Sequence, residues 1–145
     1  MTLPQPQTAA LPLSPLLFLV VIFYLNFTSR VVLGPLLPVL ENELGLGHGQ
    51  AGSLFLVIQL GYCLGLLGSG FMASRLNYRR TILASTIAVG LVLLATSQSA
   101  SVAGLRVGLI LLGIAAGLYL PSGIAVVTGE TGQAQWGKAL AIHEL

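Results

Sequence analysis

Long runs of apolar residues, separated by short polar segments, dominate the pattern along this chain. The runs cover about residues 16–40, 51–72, 81–96 and 102–127. About 20 apolar residues in a helix cross the ~30 Å hydrocarbon core of a bilayer. The runs lack the strict alternation of barrel strands, and a spanning segment must satisfy its own backbone hydrogen bonds. Each run is therefore predicted to be a transmembrane helix.

Short polar connectors separate the predicted helices, at residues 41–50, 74–80, 97–101 and 129–137. From about Lys138 the sequence is typical of a fifth helix that ends after two turns. We therefore expect the chain to be a fragment of a larger protein. Residues 1–15 lack Lys and Arg, so we expect a retained tail and not a cleaved signal peptide. The predicted fold is all-α, a polytopic bundle of transmembrane helices.

Composition and charge support a membrane protein and exclude several other classes. Hydrophobic residues make up 55% of the chain and charged residues only 7%, and the mean hydropathy is +0.93. Soluble domains carry about 25% charged residues. The six basic residues form no single patch, which argues against nucleic-acid binding. No catalytic triad, metal-ligand cluster or phosphate-binding glycine loop is present, so no enzyme activity, metal or cofactor is predicted.

The distribution of basic residues predicts an orientation. Arg75, Arg79 and Arg80 lie together in the second connector, which should therefore be cytoplasmic. The first connector, residues 41–50, contains no Lys or Arg and should lie outside. We therefore expect a multi-pass protein of the inner (plasma) membrane with its N-terminus in the cytoplasm.

Arg30 is the most informative single residue, because it lies near the middle of the first predicted helix. A charge at the centre of a membrane helix costs about 2.5–3.5 kcal/mol on insertion scales. Such a residue usually faces a bundle interior or a water-filled cavity. Arg30 and Asn26, one turn earlier, could bind an anionic substrate, or Arg30 could hold helix carbonyls or a buried acid. Gln59 and Tyr62 share a face of the second helix and could line the same cavity or bond between helices.

Glycine and proline positions predict how the helices pack. Glycines four apart let helix backbones approach closely in lipid. They recur in the second and fourth helices as Gly61 and Gly65, Gly104 and Gly108, and Gly113 and Gly117. Pro35 and Pro38 should bend the outer half of the first helix. Pro121 should interrupt the fourth helix by leaving the carbonyl of Gly117 without its donor.

Three other polar residues have open interpretations. His143 and Glu144 lie in the first turns of the fifth helix, where either could be a proton-coupling group. Arg106 lies near the outer end of the fourth helix, where its long side chain could extend to the membrane interface.

The segment from Gly70 to Leu83 resembles the loop signature of the major facilitator superfamily, G-x-L-A-D-R-x-G-R-R-x-x-I-L, which lies between the second and third helices. The matching positions are Gly70, Ala73, Arg75, Arg79 and Arg80. In that family the loop governs the switch between outward-facing and inward-facing states. The connector that carries the segment is the one that the basic residues independently place in the cytoplasm.

Three positions of the segment depart from the family signature. Ser74 replaces the usual acid and carries no charge for the family's charge interaction. Asn77 replaces the usual glycine, a mild change because Asn tolerates a left-handed backbone. Tyr78 replaces a basic residue.

Other stretches are similar to the same family. Residues 113–121 resemble its glycine-rich fourth helix, residues 24–30 resemble the first helix of its organic-anion and phosphate-ester branches, and residues 137–144 resemble its entry into helix five. The resemblance implies that residues 16–145 supply helices one to four, and the start of helix five, of the first six-helix half. It also implies that Arg30 and Asn26 face a substrate held between two halves.

The resemblance implies a secondary transporter of a small solute, with an organic anion as the expected substrate and protons or exchange as the expected driving force. It would work by alternating access as a symporter or antiporter, and the missing C-terminal helices would be required. A small four-helix multidrug exporter is one alternative, but the four apolar runs contain no Asp or Glu to serve as its membrane carboxylate. A non-transporting membrane assembly subunit is the other.

Overall fold

The computed structural model describes residues 13–144, and these are almost entirely helical. The helices are α1 (Leu13–Val31), α2 (Leu33–Leu44), α3 (His48–Leu76), α4 (Tyr78–Ser97), α5 (Val102–Gly117), α6 (Tyr119–Glu130) and α7 (Trp136–His143). A short 3-10 turn, Gln133–Gln135, precedes α7. No strand occurs in this described part, which confirms the all-α prediction. The expected tail, residues 1–15, falls mainly outside the described residues, and its last three residues are already helical.

Four stretches are long and apolar enough to cross a membrane, which confirms the four predicted spans. They are Ser14–Leu44, His48–Leu76, Tyr78–Ser97 and Val102–Glu130. The second and fourth spans reach beyond the apolar runs because a helix can continue into the polar interface while satisfying its own backbone. The hydrophobic pattern marks the part of each helix inside the hydrocarbon, not the ends of the helix.

The connectors are shorter than the sequence predicts. The predicted connector at residues 74–80 shrinks to the single residue Asn77, which separates α3 from α4. The connector at residues 41–50 shrinks to residues 45–47, where Gly45 ends α2 with a positive φ of 62°. The fifth helix begins at Trp136, two residues before the predicted start. Polar composition alone therefore overestimated the length of the connectors.

Two of the four spans are interrupted where proline removes a backbone donor. The first span breaks at Val32, between α1 and α2, just before Pro35. The fourth span breaks at Leu118, between α5 and α6, just before Pro121. Proline cannot donate to the carbonyl four residues earlier, which is that of Val31 in the first case. These positions agree with the predicted disturbances in the two helices.

α3 and α5 pack so closely that their backbones touch. An added Cβ at Gly61 or Gly113 would lie less than 3.0 Å from backbone atoms of the facing helix, and the same is true at Gly65 and Gly117. The two helices run in the same direction, since Gly61 faces Ile110 and Gly65, one turn later, faces residues one turn later on α5. The predicted glycine packing is therefore a direct contact of two helix backbones.

The remaining core lies in two apolar clusters at opposite ends of the bundle. One joins α2, α3, α4 and α5 through Leu33, Leu54, Ile58, Val89, Leu105, Leu109, Leu112, Ala115 and Ala116. The other joins α1, α4, α6 and α7 through Leu16, Leu19, Ile22, Ile82, Tyr119, Val127 and Ala139. Many large apolar side chains face outward, and Leu67 is 82% exposed. A surface of that kind is stable in lipid but not in water.

The glycine contact generates a testable prediction with an internal control. Gly61→Ala should lower the free energy of unfolding by ~1–3 kcal/mol, because the added methyl group forces two backbones apart. Gly68→Ala, on the same helix, meets no atom within 4 Å and should be neutral or slightly stabilising. Thermal unfolding of both variants in mild detergent measures the difference. Equal effects of the two substitutions would show that the backbone contact does not limit stability.

Candidate functional site

Arg30 and Tyr62 lie together near mid-depth, on the first and second spans. The Cζ atom of Arg30 is 4.0 Å from the centre of the Tyr62 ring and 5.8 Å from that of Phe27. Both Arg30 and Tyr62 are close to the middle of their spans. A guanidinium over an aromatic face is held by the negative charge of the ring face. The α1 helix supplies the cation and α3 supplies the ring that positions it.

Arg30 lacks the partners that a purely structural arginine would have. It makes no ion pair or hydrogen bond within residues 13–144, and its Nε is buried without a partner. The other charged residues of the described part lie nearer the ends of the spans. A guanidinium has five N–H donors in a planar fork. No described residue accepts a hydrogen bond from these donors.

Asn26 is buried and joins the first span to the fourth. Its Nδ2 donates to the carbonyl oxygen of Ala116 at 3.4 Å, and the side chain is 6% exposed. Ala116 lies in the last turn of α5, next to the break at Leu118. Ser29 donates back to the Asn26 carbonyl at 2.7 Å. Asn26 thus places α1, and with it Arg30, against α5.

Gln59 is exposed on α3 and makes no hydrogen bond to any described residue. Tyr62, one turn later, is partly buried under Arg30. The structure therefore unites two of the four candidate substrate residues, Arg30 and Tyr62. It places Asn26 behind them as a helix tie and leaves Gln59 on the open face.

Sequence reasoning missed Tyr119, which is 1% exposed and connects three helices. Its hydroxyl group donates to the Leu19 carbonyl at 2.9 Å and lies 2.8 Å from Nε2 of His143. A tyrosine in a glycine-rich apolar helix is expected to be buried, and a buried tyrosine hydroxyl needs a hydrogen-bond partner. That requirement could have identified Tyr119 from the sequence. His143 is fully buried here, whereas Glu144 is exposed at the end of α7.

The residues of the loop segment 70–83 lie at the end of the bundle that the charge pattern assigns to the cytoplasm. Arg79 donates to a carboxylate oxygen of Glu130 at 2.6 Å, which joins α4 to the end of α6. Arg75 stacks on Phe71 at 5.4 Å, and Ser74 donates to the Phe71 carbonyl at 2.7 Å. Ser74 thus bonds its own helix, as a short hydroxyl side chain can but a family-type acid could not. Gly70 and Arg80 are both exposed.

Asn77 corrects one detail of the sequence prediction. Its φ is +67° as a left-handed residue requires, but its ψ is 162°. That combination is not the left-handed helical region but one that glycine occupies almost alone. The side chain compensates, since its oxygen accepts from Arg80 N at 3.1 Å and caps α4.

Arg106 lies near the start of the fourth span, close to the start of the second span. It is partly buried between α5 and α3, with Nη2 3.5 Å from Ser53 Oγ. Its Nε is buried without a partner among the described residues. Ser53 and Tyr62 lie on the same helix, α3, about 13 Å apart along its axis, so Arg106 is separate from the Arg30–Tyr62 pair.

A groove of about 260 Å³ lies between α1, α4 and α6. Apolar side chains line most of it, and the Arg79–Glu130 ion pair closes one side. Neither Arg30 nor Tyr62 lines this groove. The groove is therefore distinct from the mid-depth cation.

Comparisons with known proteins agree with this architecture. The family model described as Major Facilitator Superfamily matches residues 16–145. A 4-hydroxybenzoate transporter of Pseudomonas aeruginosa is 27% identical over 127 residues. The match covers 84% of this chain and 28% of that relative, so the chain spans less than a third of the relative's length. No solved structure matches the chain.

The backbone of Asn77 generates a testable prediction. Asn77→Ala should lower the free energy of unfolding by ~1–2 kcal/mol, because it loses the cap and keeps an unfavourable φ. Asn77→Gly also loses the cap but relieves the backbone strain, so its free energy of unfolding should stay within ~0.5 kcal/mol of the parent. Thermal unfolding of the two variants decides. A glycine variant as unstable as the alanine variant would refute the strain.

Proposed function

The chain belongs to the major facilitator superfamily, and from that membership we propose that it forms part of a secondary transporter of a small organic anion. The membership points to transport and not to catalysis. The observation that carries the proposal is Arg30, a cation near mid-depth with no acidic partner among residues 13–144. In this family, substrates are held at the midplane between two helical halves.

An anionic substrate would complete the electrostatics of Arg30. A charge in the membrane interior is costly unless it has water or a counter-charge. The Tyr62 ring covers one face of the Arg30 guanidinium. The N–H groups of the guanidinium point outward in its own plane. A carboxylate can accept two parallel hydrogen bonds from that edge. Substrate binding would thus supply the counter-charge that residues 13–144 do not provide.

Two observations support an aromatic carboxylate as the first substrate class to test. The Phe27 and Tyr62 rings lie 5.8 Å and 4.0 Å from Cζ of Arg30, so a planar ligand ring bound there could pack against an aromatic side chain. The relative from Pseudomonas aeruginosa is named a 4-hydroxybenzoate transporter. At 27% identity the relative supports the chemical class and not one particular acid.

Alternating access requires a second helical half, which we propose lies beyond these helices in the same protein. In that arrangement the Arg75, Arg79 and Arg80 end of the bundle faces the cytoplasm of an inner or plasma membrane. The Arg79–Glu130 pair then lies at the cytoplasmic end, beside the connector that governs switching in the family. Protons or a second anion would drive the cycle.

The intact mass of the natural gene product tests whether a second half exists. The protein would be purified from its own membrane through an N-terminal tag. We expect a mass near three times the 15.1 kDa of this chain, because the relative is more than three times as long. A mass of 15.1 kDa would contradict autonomous transport and favour an assembly subunit.

Substitution of Arg30 tests the anion site. In the purified gene product in vesicles, Arg30→Lys should lower uptake of benzoate-type anions by about 10- to 100-fold, because loss of one charge-assisted hydrogen bond costs ~1.5–3 kcal/mol. Arg106→Lys is the matched control, since it makes the same change away from the site and should keep parental uptake. If Arg30→Lys transports as well as Arg106→Lys, Arg30 does not bind the substrate.

A further inference from the structure

A buried polar cluster joins α1, α6 and α7 away from the Arg30–Tyr62 pair. His143 on α7 is 0% exposed, and its Nε2 lies 2.8 Å from the Tyr119 hydroxyl on α6. The same hydroxyl lies 2.9 Å from the Leu19 carbonyl on α1. The Tyr119 hydroxyl group therefore connects the first span (α1), the fourth span (α6) and the helix α7 that follows it.

The donors and acceptors of this cluster fix the state of the imidazole. A backbone carbonyl can only accept, so the Tyr119 hydroxyl must donate its single proton to Leu19. The hydroxyl oxygen then accepts, and Nε2 of His143 must carry the proton that it donates. In neutral His143 the Nδ1 atom consequently bears a free lone pair. Nδ1 is buried and has no partner among residues 13–144.

Two aromatic rings lie against the imidazole of His143 and can stabilise its charged form. The His143 ring stacks on the Tyr119 ring at 5.9 Å and lies 5.0 Å from the Phe23 ring. Aromatic faces attract a cation, so they would stabilise an imidazolium without a carboxylate.

Few ionisable groups surround His143. Among the elements packed against α7, α6 contributes Tyr119 in contact, while Glu130, at the far end of α6, is paired with Arg79. From α1, Phe23 contacts His143 and Leu19 contacts Tyr119, and neither is ionisable. The 3-10 turn Gln133–Gln135 has no ionisable side chain. On α7 itself Lys138 and Glu144 are exposed.

The cluster and the candidate anion site share one face of α1. Leu19, Phe23, Asn26 and Arg30 follow the spacing of three and four residues that aligns side chains along a helix. Leu19 and Phe23 contact the Tyr119–His143 pair, and Arg30 contacts Tyr62. A shift of α1 against α6 and α7 would therefore move Arg30 as well.

We propose that His143 is a proton-binding site that couples proton movement to the transport cycle, a step that rests on the proposed function. The proton adds to Nδ1 and converts the neutral imidazole into an imidazolium, while Nε2 keeps its bond to Tyr119. The new charge and the new N–H donor need water or a ligand. The contact between α7 and α1 loosens to supply them. Loss of the proton restores the closed contact.

Transport measurements with the purified gene product in vesicles test the coupling. His143→Gln keeps an amide donor that can reach Tyr119 but cannot take up a proton. We expect it to lose accumulation of the anion driven by a proton gradient and to retain exchange of labelled for unlabelled anion across the vesicle membrane. A residue that only supports packing would affect both modes together. Gradient-driven accumulation at the parental level would overturn the proposal.

Tyr119→Phe separates coupling from the helix tie. It removes the hydroxyl that joins Leu19 to His143 but leaves the Nδ1 atom able to take up a proton. We expect weaker exchange together with preserved dependence on the proton gradient. Loss of the gradient dependence in this variant, with retention in His143→Gln, would assign the coupling to Tyr119 and overturn the proposal for His143.

A direct titration keeps the test independent of transport. In the ¹⁵N spectrum of the histidine-labelled gene product in lipid, the signal that disappears in His143→Gln belongs to His143. We expect an Nε2–H tautomer at about pH 8 and a proton on Nδ1 as the pH falls to about 5. A signal that stays neutral over that range would overturn the proposal, even if the protein transports. A titrating His143 in a protein that moves no anion would refute the proposed function alone.

Discussion

The contact between the backbones of α3 and α5 is the constraint on which the rest of the bundle depends. Two parallel helices can approach this closely only where neither carries a Cβ, and Gly61 and Gly113 supply that absence at facing positions. Lipid offers no hydrophobic drive between helices, so close packing must hold them. Tyr62 follows Gly61 directly, and its backbone lies against α5. The backbone that carries the Tyr62 ring is therefore held against α5, and Arg30 packs on the face of the ring.

The mid-depth site combines rigidity with an incomplete charge. Asn26 holds α1 against the end of α5, and Tyr62 holds the guanidinium from the other side. Arg30 is thus placed accurately but is not neutralised by any described carboxylate. A guanidinium that is already held in place but has no counter-charge favours anion binding, because little conformational freedom is lost when the anion binds.

Much of this architecture can be predicted from the sequence. The features that could not be predicted depend on surroundings that a local sequence pattern does not record. Apolar runs located the four spans, glycine spacing located the closest helix contact, and the isolated charge drew attention to Arg30. The ends of the helices were misjudged because polar residues tolerate helix outside the hydrocarbon. Tyr119 and the ψ of Asn77 were missed because both depend on three-dimensional surroundings. A hydroxyl finds its partner across 100 positions of the chain, which no local pattern records.

Three ties between spans end on backbone carbonyls and not on side chains. Ser85 donates to Ala115 at 2.6 Å, Asn26 to Ala116 and Tyr119 to Leu19. Every residue, whatever its side chain, offers the same backbone carbonyl, so each of these bonds constrains the side chain of the donor and not that of the acceptor. A substitution at the accepting position therefore does not require a matching substitution at the donor. Methods that search for paired substitutions would therefore overlook these ties between the spans.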